Sequence, residues 1–314
     1  MLESLPVPKI DLPEPQQPYC GRFAPSPTGD LHLGSLLAAL ASCLEARSRG
    51  GRWLLRMEDL DPPRVMPGAA QRIVDSLLQH GFVWDGELAV QSERSDLYKA
   101  ALVQLQQSGR LYPCCCTRRE VAQLAHAGVD GPVYPGTCRN GLPPGREARA
   151  LRVRVDEQLI SFADGVQGLQ QQVLAEVVGD FVLQRADGLF AYQLAVVVDD
   201  ALQGVNHVVR GADLLDSTPR QIHLQRLLGL PTPGYVHIPV LVNQAGEKLS
   251  KQTLAPALQA DGAVSNLWLA LDYLGQNPPP ALRKSNLADI WQWAHAHWAL
   301  ARVPRQRSIP IKSF

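Results

Sequence analysis

His32 and Gly34, with Lys248 and Lys251 far downstream, are the residues best suited to chemistry on a polyphosphate. The first pair lies in RFAPSPTGDLHLGS, Arg22 to Ser35, which leaves an apolar strand end, turns through Pro-Ser-Pro-Thr-Gly and enters a helix. A helix N-terminus after such a turn is an anion site, because its first N–H groups lack partners and the macrodipole is positive there. An imidazole just before that terminus can donate to a phosphate, and Gly34 lets a ligand approach the backbone. The competing reading is a plain strand-turn-helix corner with one solvent-facing histidine. The second pair lies in GEKLSKQ over 246–252, a Gly-rich loop with two lysines three apart. Lysines that swing onto triphosphate oxygens serve nucleotidyl transfer, which depends on positioning and charge neutralisation.

The cysteines supply a second kind of chemistry. Cys114 and Cys116 form a C-x-C pair, and Cys138 ends the turn-rich loop GPVYPGTC. Three sulfurs can hold one structural zinc that clamps an insertion, provided the segment between them folds back. Tyr134, four residues before Cys138, is the nearest candidate for a fourth ligand; His126 competes, toward the end of a helix that begins just after the cysteines. Cys115 is expected to point away if its neighbours share one face of an extended segment. Three ordinary buried thiols are the alternative.

The elements that position these groups follow from periodicity. Leu33, Leu36, Leu37, Leu40 and Leu44 recur at helical spacing after the first turn. Arg52 to Met57 reads as a buried strand ending in the carboxylates Glu58, Asp59 and Asp61, where α/β folds place ligand contacts. Pro67 to His80 (through Ile73, Val74, Leu77 and Leu78) and Ser95 to Gln107 read as amphipathic crossover helices. Thr117 and Glu120 have capping-box spacing. Leu151 to Val155 alternates as a strand, and Phe181 to Tyr192 reads as a hairpin turning at Asp187-Gly188. Pro219, after Ser217 and Thr218, opens a helix, and Val236 to Val242 is the last buried strand before the lysine loop. Helical spacing returns over Val264 to Leu274 and Asn286 to Leu300, whose Trp291, Trp293 and Trp298 are expected to pack between helices. Arg139, Arg146, Arg149, Arg152 and Arg154 are either a solvated face with ion pairs or an RNA contact. Arg302, Arg305, Arg307 and Lys312 form a basic tail.

Composition bounds the rest. With 314 residues, 46% of them apolar, the chain can build a large domain with an insertion. Zero formal net charge argues against a nonspecific nucleic-acid coater. No apolar run is long enough to span a bilayer, and MLESLPVPKIDLPEPQQPY has no signal pattern. That N-terminus reads as an extended lead-in. Six cysteines, three of them clustered, suit a reduced cytoplasm and a metal site better than a disulfide framework.

The motifs His32-Leu33-Gly34-Ser35 and Lys248-Leu249-Ser250-Lys251-Gln252 resemble the HIGH and KMSKS signatures of class I aminoacyl-tRNA synthetases. RWLLRMEDLDPP, FAYQLAVVVDD and HVVRGADLLDSTPRQ extend the resemblance to the glutamyl-tRNA synthetases from Arg22 to Gln252, in the family order. HLGS followed by LLAAL, the C-x-C with Tyr134-x-x-x-Cys138, and KLSKQ resemble most the truncated, zinc-clamped glutamyl-queuosine tRNA(Asp) synthetases. The resemblance implies an α/β fold, a Rossmann-like doubly wound parallel sheet with a zinc-clamped insertion and a C-terminal helical segment. It implies an extended segment at 1–19 and a catalytic domain over 20–112 and 189–252. An acceptor-type subdomain would occupy 113–188 and a stem-contacting helical region 253–314.

By the same resemblance Arg22 and Arg210 would meet the carboxylates of L-glutamate. Phe23, Ala24, Pro25, Ser26 and Glu58 would line the α-amino-acid end, and Tyr192 would place its hydroxyl over the pocket. His32, Gly34, Ser35 and Lys251 would bind ATP, entering with Mg²⁺, and His32, Lys248 and Lys251 would be catalytic. The implied reaction is ATP-dependent activation of glutamate and its transfer to queuosine in the anticodon loop of tRNA(Asp). Three departures stand out: Ser35 replaces the last histidine of HIGH, Val196 stands where glutamyl-tRNA synthetases often have asparagine, and the chain stops roughly where they begin an anticodon-binding region. The rival functions are a small-molecule adenylate-forming or nucleotidyl-transfer enzyme of the same superfamily and a noncatalytic RNA- or glutamate-binding paralogue.

Overall fold

The alternation of side chains along the strands sets the architecture. In β1 (Cys20–Phe23), Phe23 joins one core and Cys20 the other; in β2 (Arg52–Met57), Trp53 and Leu55 point one way and Leu54 the opposite way. A strand sends successive side chains to opposite faces, so a strand apolar on both needs cover on both. One face is covered by α1 (Leu33–Ser48) and α2 (Ala69–Gln79). After β3 (Ala89–Val90), α3 (Ser95–Gln107) covers the other. The leucine pattern behaves as expected, with Leu36, Leu37, Leu40 and Leu44 at most 1% exposed. In α2, Ile73 and Leu77 are buried but Leu78 is exposed, because the next residue sits about 100° further round the helix. The computed structural model describes residues 18–249, 257–258 and 260–311; residues 1–17 of the expected lead-in, Lys251 and Lys312 lie outside them.

The next strands build the inserted region. It begins with β4 (Leu111–Cys114) and α4 (Arg118–Leu124), whose reciprocal capping box forms: Glu120 N donates to Thr117 Oγ1 at 3.2 Å and Thr117 N to Glu120 Oε2 at 2.7 Å. A minimal pair, β5 (Ala127–Gly128) and β6 (Gly131–Pro132), precedes β7 (Ala150–Val153), β8 (Leu159–Asp164) and β9 (Gly168–Val173). One helical turn, α5 (Leu174–Val177), leads to β10 (Phe181–Gln184). Strands β10, β7 and β4 form an antiparallel sheet. The Asp187-Gly188 turn is present, and its short returning arm bridges Gln184 through Phe190, with Arg185 N donating to Leu189 O and Ala191 N to Leu183 O at 2.8 Å each, before α6 begins at Tyr192.

The chain then closes the main sheet with α6 (Tyr192–Leu202), β11 (His207–Gly211), α7 (Thr218–Leu228) and β12 (Gly234–Ile238). Asn206 ties β11 to β1: its N–H donates to Cys20 O at 3.0 Å and its Oδ1 accepts from Cys20 N at 2.8 Å. Strands β1, β2 and β3 form one parallel sheet, and β11 and β12, also parallel, form a second with β8 and β9, of which β8 meets β12 in parallel and β9 pairs antiparallel with β8. The doubly wound parallel sheet expected from sequence is therefore divided in two, and the second part is mixed. Strand β9 is exposed at Gly168, Leu169 and Gln171, as suits an edge.

Pro219 occupies the first turn of α7, but Ser217 does not cap it; its hydroxyl accepts from Arg220 Nη2 at 3.2 Å. The expected strand from Val236 to Val242 breaks at Pro239, which has no N–H for the ladder. Its second half, β13 (Val240–Val242), stands apart from β12, and after α8 (Ala263–Tyr273) and α9 (Leu287–His297) the chain returns as β14 (Ser308–Pro310) to pair with it. Trp291 and Trp298 pack between helices as expected, donating to His80 O and Glu45 Oε2 at 2.9 and 2.8 Å. Among the described residues no helix is long and apolar enough to cross a membrane.

Candidate active site

A cavity of about 700 Å³ opens at the C-terminal ends of β1, β2 and β11, where a parallel sheet leaves room for a ligand. Arg22, Phe23 and Ala24 enter it from the end of β1, Ser26 from the turn, and His32, Gly34 and Ser35 from the start of α1. Glu58 comes from the end of β2, Tyr192 from the first turn of α6, Arg210 from β11, and Lys248 from the loop after β13. Pro25 does not line the cavity; its carbonyl accepts from Glu58 N at 2.9 Å and joins the two loops. Val196, on α6, is fully buried in the core and does not line the cavity.

His32 is the N-cap of α1 and is buried, which removes the solvent-facing alternative. Its Nδ1 accepts from Ser35 N at 3.3 Å, and its Nε2 lies 3.2 Å from Ser35 Oγ. Ser35 thus pins the ring from both nitrogens. A Cβ at Gly34 would stand 3.1 Å from His32 Cε1, so this glycine makes room for the imidazole as well as for any ligand. Lys248 Nζ reaches Asp213 Oδ2 at 2.5 Å, holding this part of the chain against the segment after β11.

A buried charge network underlies the pocket. Asp200 Oδ1 accepts from Arg22 Nε at 3.1 Å and from Arg56 Nη2 at 2.7 Å. Arg56, fully buried, also donates to Gln203 Oε1 at 2.6 Å and to Glu58 Oε1 at 3.3 Å. Asp199 next door accepts from Arg94 Nε, Gln91 Nε2 and Tyr98 OH at 2.6, 2.8 and 2.7 Å. Burial would raise the Asp200 carboxyl, but Arg22 and Arg56 together hold it below the usual aspartate range. Burial wins at Glu58, which is raised despite Arg56 and Arg22. Sequence reading passed over this network, although two adjacent carboxylates inside the apolar run LAVVVDDAL were a signal, since buried charges need partners.

Arg210 lies across from these groups. It donates from Nε to His237 Nε2 at 3.0 Å, from Nη2 to Thr218 Oγ1 at 2.8 Å and from Nη1 to Tyr192 OH at 3.5 Å. Burial raises the Tyr192 hydroxyl, so it stays protonated.

The cysteine cluster forms away from this cavity. The sulfurs of Cys114, Cys116 and Cys138 lie within 4.8 Å of one another. Tyr134 OH is 3.5 Å from Cys114 Sγ and 3.6 Å from Cys116 Sγ, and accepts from Cys138 N at 2.8 Å. His126 is elsewhere, its Nε2 2.9 Å from Glu176 O. Cys115 does not point away: its sulfur is 3.5 Å from Cys138 Sγ, because the short strand ends at Cys114 and the chain turns there. Against desolvation, hydrogen bonds from Cys115 N–H, Tyr134 and the neighbouring thiols bring Cys138 down to about 7. The arginines nearby are largely structural. Arg152 lies 3.8 Å over the Tyr134 ring, Arg139 pairs with Asp180, and Arg146 with Glu120 at 3.0 Å.

A family model described as tRNA synthetases class I (E and Q), catalytic domain, matches residues 20–267. Glutamyl-Q tRNA(Asp) synthetase of Aromatoleum aromaticum is 59% identical over 289 residues, 92% of this chain and 91% of that protein. Its namesake from Chromobacterium violaceum is 61% identical over 286 residues, 91% of this chain and 95% of that protein. Among solved structures, a glutamate tRNA ligase from Elizabethkingia meningosepticum in complex with its amino acid superposes with a TM-score of 0.77. It is 23% identical, covering 94% of this chain and 67% of that one, and shares the fold.

Proposed function

Because the chain belongs to the glutamyl-Q tRNA(Asp) synthetases, within the class I tRNA synthetases (E and Q), we propose that it activates L-glutamate with ATP and transfers the glutamyl group to queuosine in tRNA(Asp). The observation that carries this reading is the charge pattern of the cavity: Arg22 and Arg210 for carboxylates and Glu58 for an ammonium, continuous with His32 and Lys248 for phosphates.

Arg22, Arg210 and Tyr192 hold the substrate through its carboxylate side, and Glu58, with Ala24 and Ser26, takes the α-ammonium end. The α-carboxylate then attacks the α-phosphorus of ATP near the N-terminus of α1; the bond to the bridging oxygen breaks and pyrophosphate leaves. His32, Lys248 and Lys251 offset the charge that develops there. Mg²⁺ travels with the ATP phosphates and adds to that neutralisation. A hydroxyl of queuosine next attacks the activated carbonyl and releases AMP, with proximity contributing much of the rate.

In this reading 20–112 and 189–252 carry the catalysis, 113–188 is the inserted subdomain and 253–314 lies against the stem. One structural zinc belongs to the insertion, held by Cys114, Cys116, Cys138 and Tyr134. The convergence of those sulfurs and the lowered Cys138 thiol support it. The metal would neutralise thiolates and clamp the loop. The purified protein should carry one zinc for each chain. Cys138→Ser should lose it while Cys115→Ser keeps it, read by metal analysis, with a lower melting temperature only for the first. Zinc retained in Cys138→Ser would dismiss this ligand set. A cytoplasmic location goes with ATP, tRNA and free thiols.

The function is tested by feeding labelled glutamate and ATP to tRNA pools with and without queuosine. Label should appear only with queuosine-containing tRNA(Asp), on the anticodon loop. Label on the 3′-terminal adenosine would refute the acceptor.

A further inference from the structure

His237 is completely buried on β12, and no part of the reaction described above uses it. Its two ring nitrogens nevertheless join the β8–β9 turn to the pocket. Asp164 Oδ2 lies 2.6 Å from Nδ1, and Arg210 Nε lies 3.0 Å from Nε2. We infer that His237, locked by Asp164 into the tautomer protonated at Nδ1, is a positioning residue that orients the Arg210 guanidinium and so sets the affinity for glutamate. The inference rests on the reading of Arg210 as a glutamate partner.

Both ends of the relay specify the same tautomer. A guanidinium only donates, so Nε2 must accept. An ionised carboxylate only accepts, so Nδ1 must carry the proton. Burial would raise the Asp164 carboxyl, but its bonds to His237 and to the backbone N–H groups of Gln167 and Val166 hold it low. Burial, with Arg210 adding to it, brings His237 down to about 4, so the ring is neutral at working pH. Thr218 completes the arrangement: its Oγ1 accepts from Arg210 Nη2 at 2.8 Å and lies 3.2 Å from Nε2. Arg210 is thereby held at Nε and Nη2, and its Nη1 side is left toward Tyr192 and the cavity.

The competing view is an ordinary satisfied core histidine. Asp164→Asn separates the two, because the backbone dictates which way the amide must lie. Asp164 Oδ1 accepts three N–H groups, from Gln167, Val166 and His237 at 2.8, 3.0 and 3.1 Å. The asparagine oxygen must keep that place, so its NH₂ faces Nδ1 and can only donate. Nδ1 must then accept, the proton moves to Nε2, and a donor meets the Arg210 Nε–H. Volume and backbone bonds are unchanged.

The test is glutamate-dependent ATP–pyrophosphate exchange, run with queuosine-containing tRNA present, on the wild type, Asp164→Asn, His237→Gln, His237→Leu and Arg210→Ala. Losing one hydrogen bond to a charged group corresponds to about a tenfold rise in KM for glutamate in Asp164→Asn, with KM for ATP unchanged. His237→Gln, whose Oε1 can accept from Arg210, should bind glutamate better than His237→Leu. If Asp164→Asn keeps the wild-type KM for glutamate while Arg210→Ala loses exchange, the relay is refuted and the pocket stands. An equal rise in both KM values would also refute it, as a general structural loss. Unchanged exchange in Arg210→Ala would instead refute the pocket assignment beneath it.

Discussion

Arg210→Ala is expected to lower kcat/KM for glutamate in ATP–pyrophosphate exchange by roughly a thousandfold. Truncating one partner of a buried, hydrogen-bonded charge pair costs about 2–5 kcal/mol, and 4 kcal/mol is about three decades. The loss falls on glutamate rather than on the fold, because the groups left behind (His237, Thr218 and Tyr192) are neutral, and no buried charge is stranded. Arg210→Lys recovers little, since an ammonium cannot serve His237, Thr218 and a carboxylate from one planar fork. ATP binding, measured directly, should survive both changes. Exchange within threefold of wild type in the alanine variant would remove Arg210 from the pocket.

Asp200→Ala has the opposite character and is expected to act mainly on stability. It strands Arg22, which has almost no exposure, and takes from Arg56, which has none, the shortest of its ion pairs, leaving Glu58 at 3.3 Å and Asp199 at 4.0 Å. Removing one partner of a buried ion pair costs about 3–5 kcal/mol, because the remaining charge keeps its desolvation penalty. Urea unfolding should show the midpoint fall with an unchanged slope. The pH dependence gives a second check. The folded Asp200 carboxyl titrates below its unfolded value, so its contribution is present above the ordinary aspartate range and is lost as pH falls through the depressed one. The gap between wild type and Asp200→Asn should therefore be constant near neutrality and close only in strong acid. A variant as stable as wild type would refute Asp200 as the anchor of the buried charge layer.

The two predictions differ because the site is built in two layers. Arg210 reaches the cavity through neutral partners, whereas Arg22 and Glu58 rest on a charged layer in which Asp200 and Arg56 are fixed first. A substitution in the upper layer changes affinity, and one in the lower layer changes the protein.

Local pattern alone determined much of this molecule. The leucine spacing located α1, the span of α3 came out as it was read, and Thr117 with Glu120 announced the capping box. The family resemblance, and not local pattern, pointed to Tyr192 and Arg210, which converge with His32, Glu58 and Lys248 on one cavity, and Tyr134 rather than His126 joins the cysteines. These features rest on contacts a few residues apart or on motifs whose residue types are chemically distinctive. Only the tertiary structure decided the pairings that support them. Asp200 meets Arg22 across 178 residues and Asp164 meets His237 across 73, and nothing in their spacing foretells either. The same holds for the antiparallel edge of β8 and β9 and for the return of β14 to β13. Periodicity reports which face of an element is apolar; it carries no information about which distant charge will be buried against which, because that choice is made by the whole core as it closes.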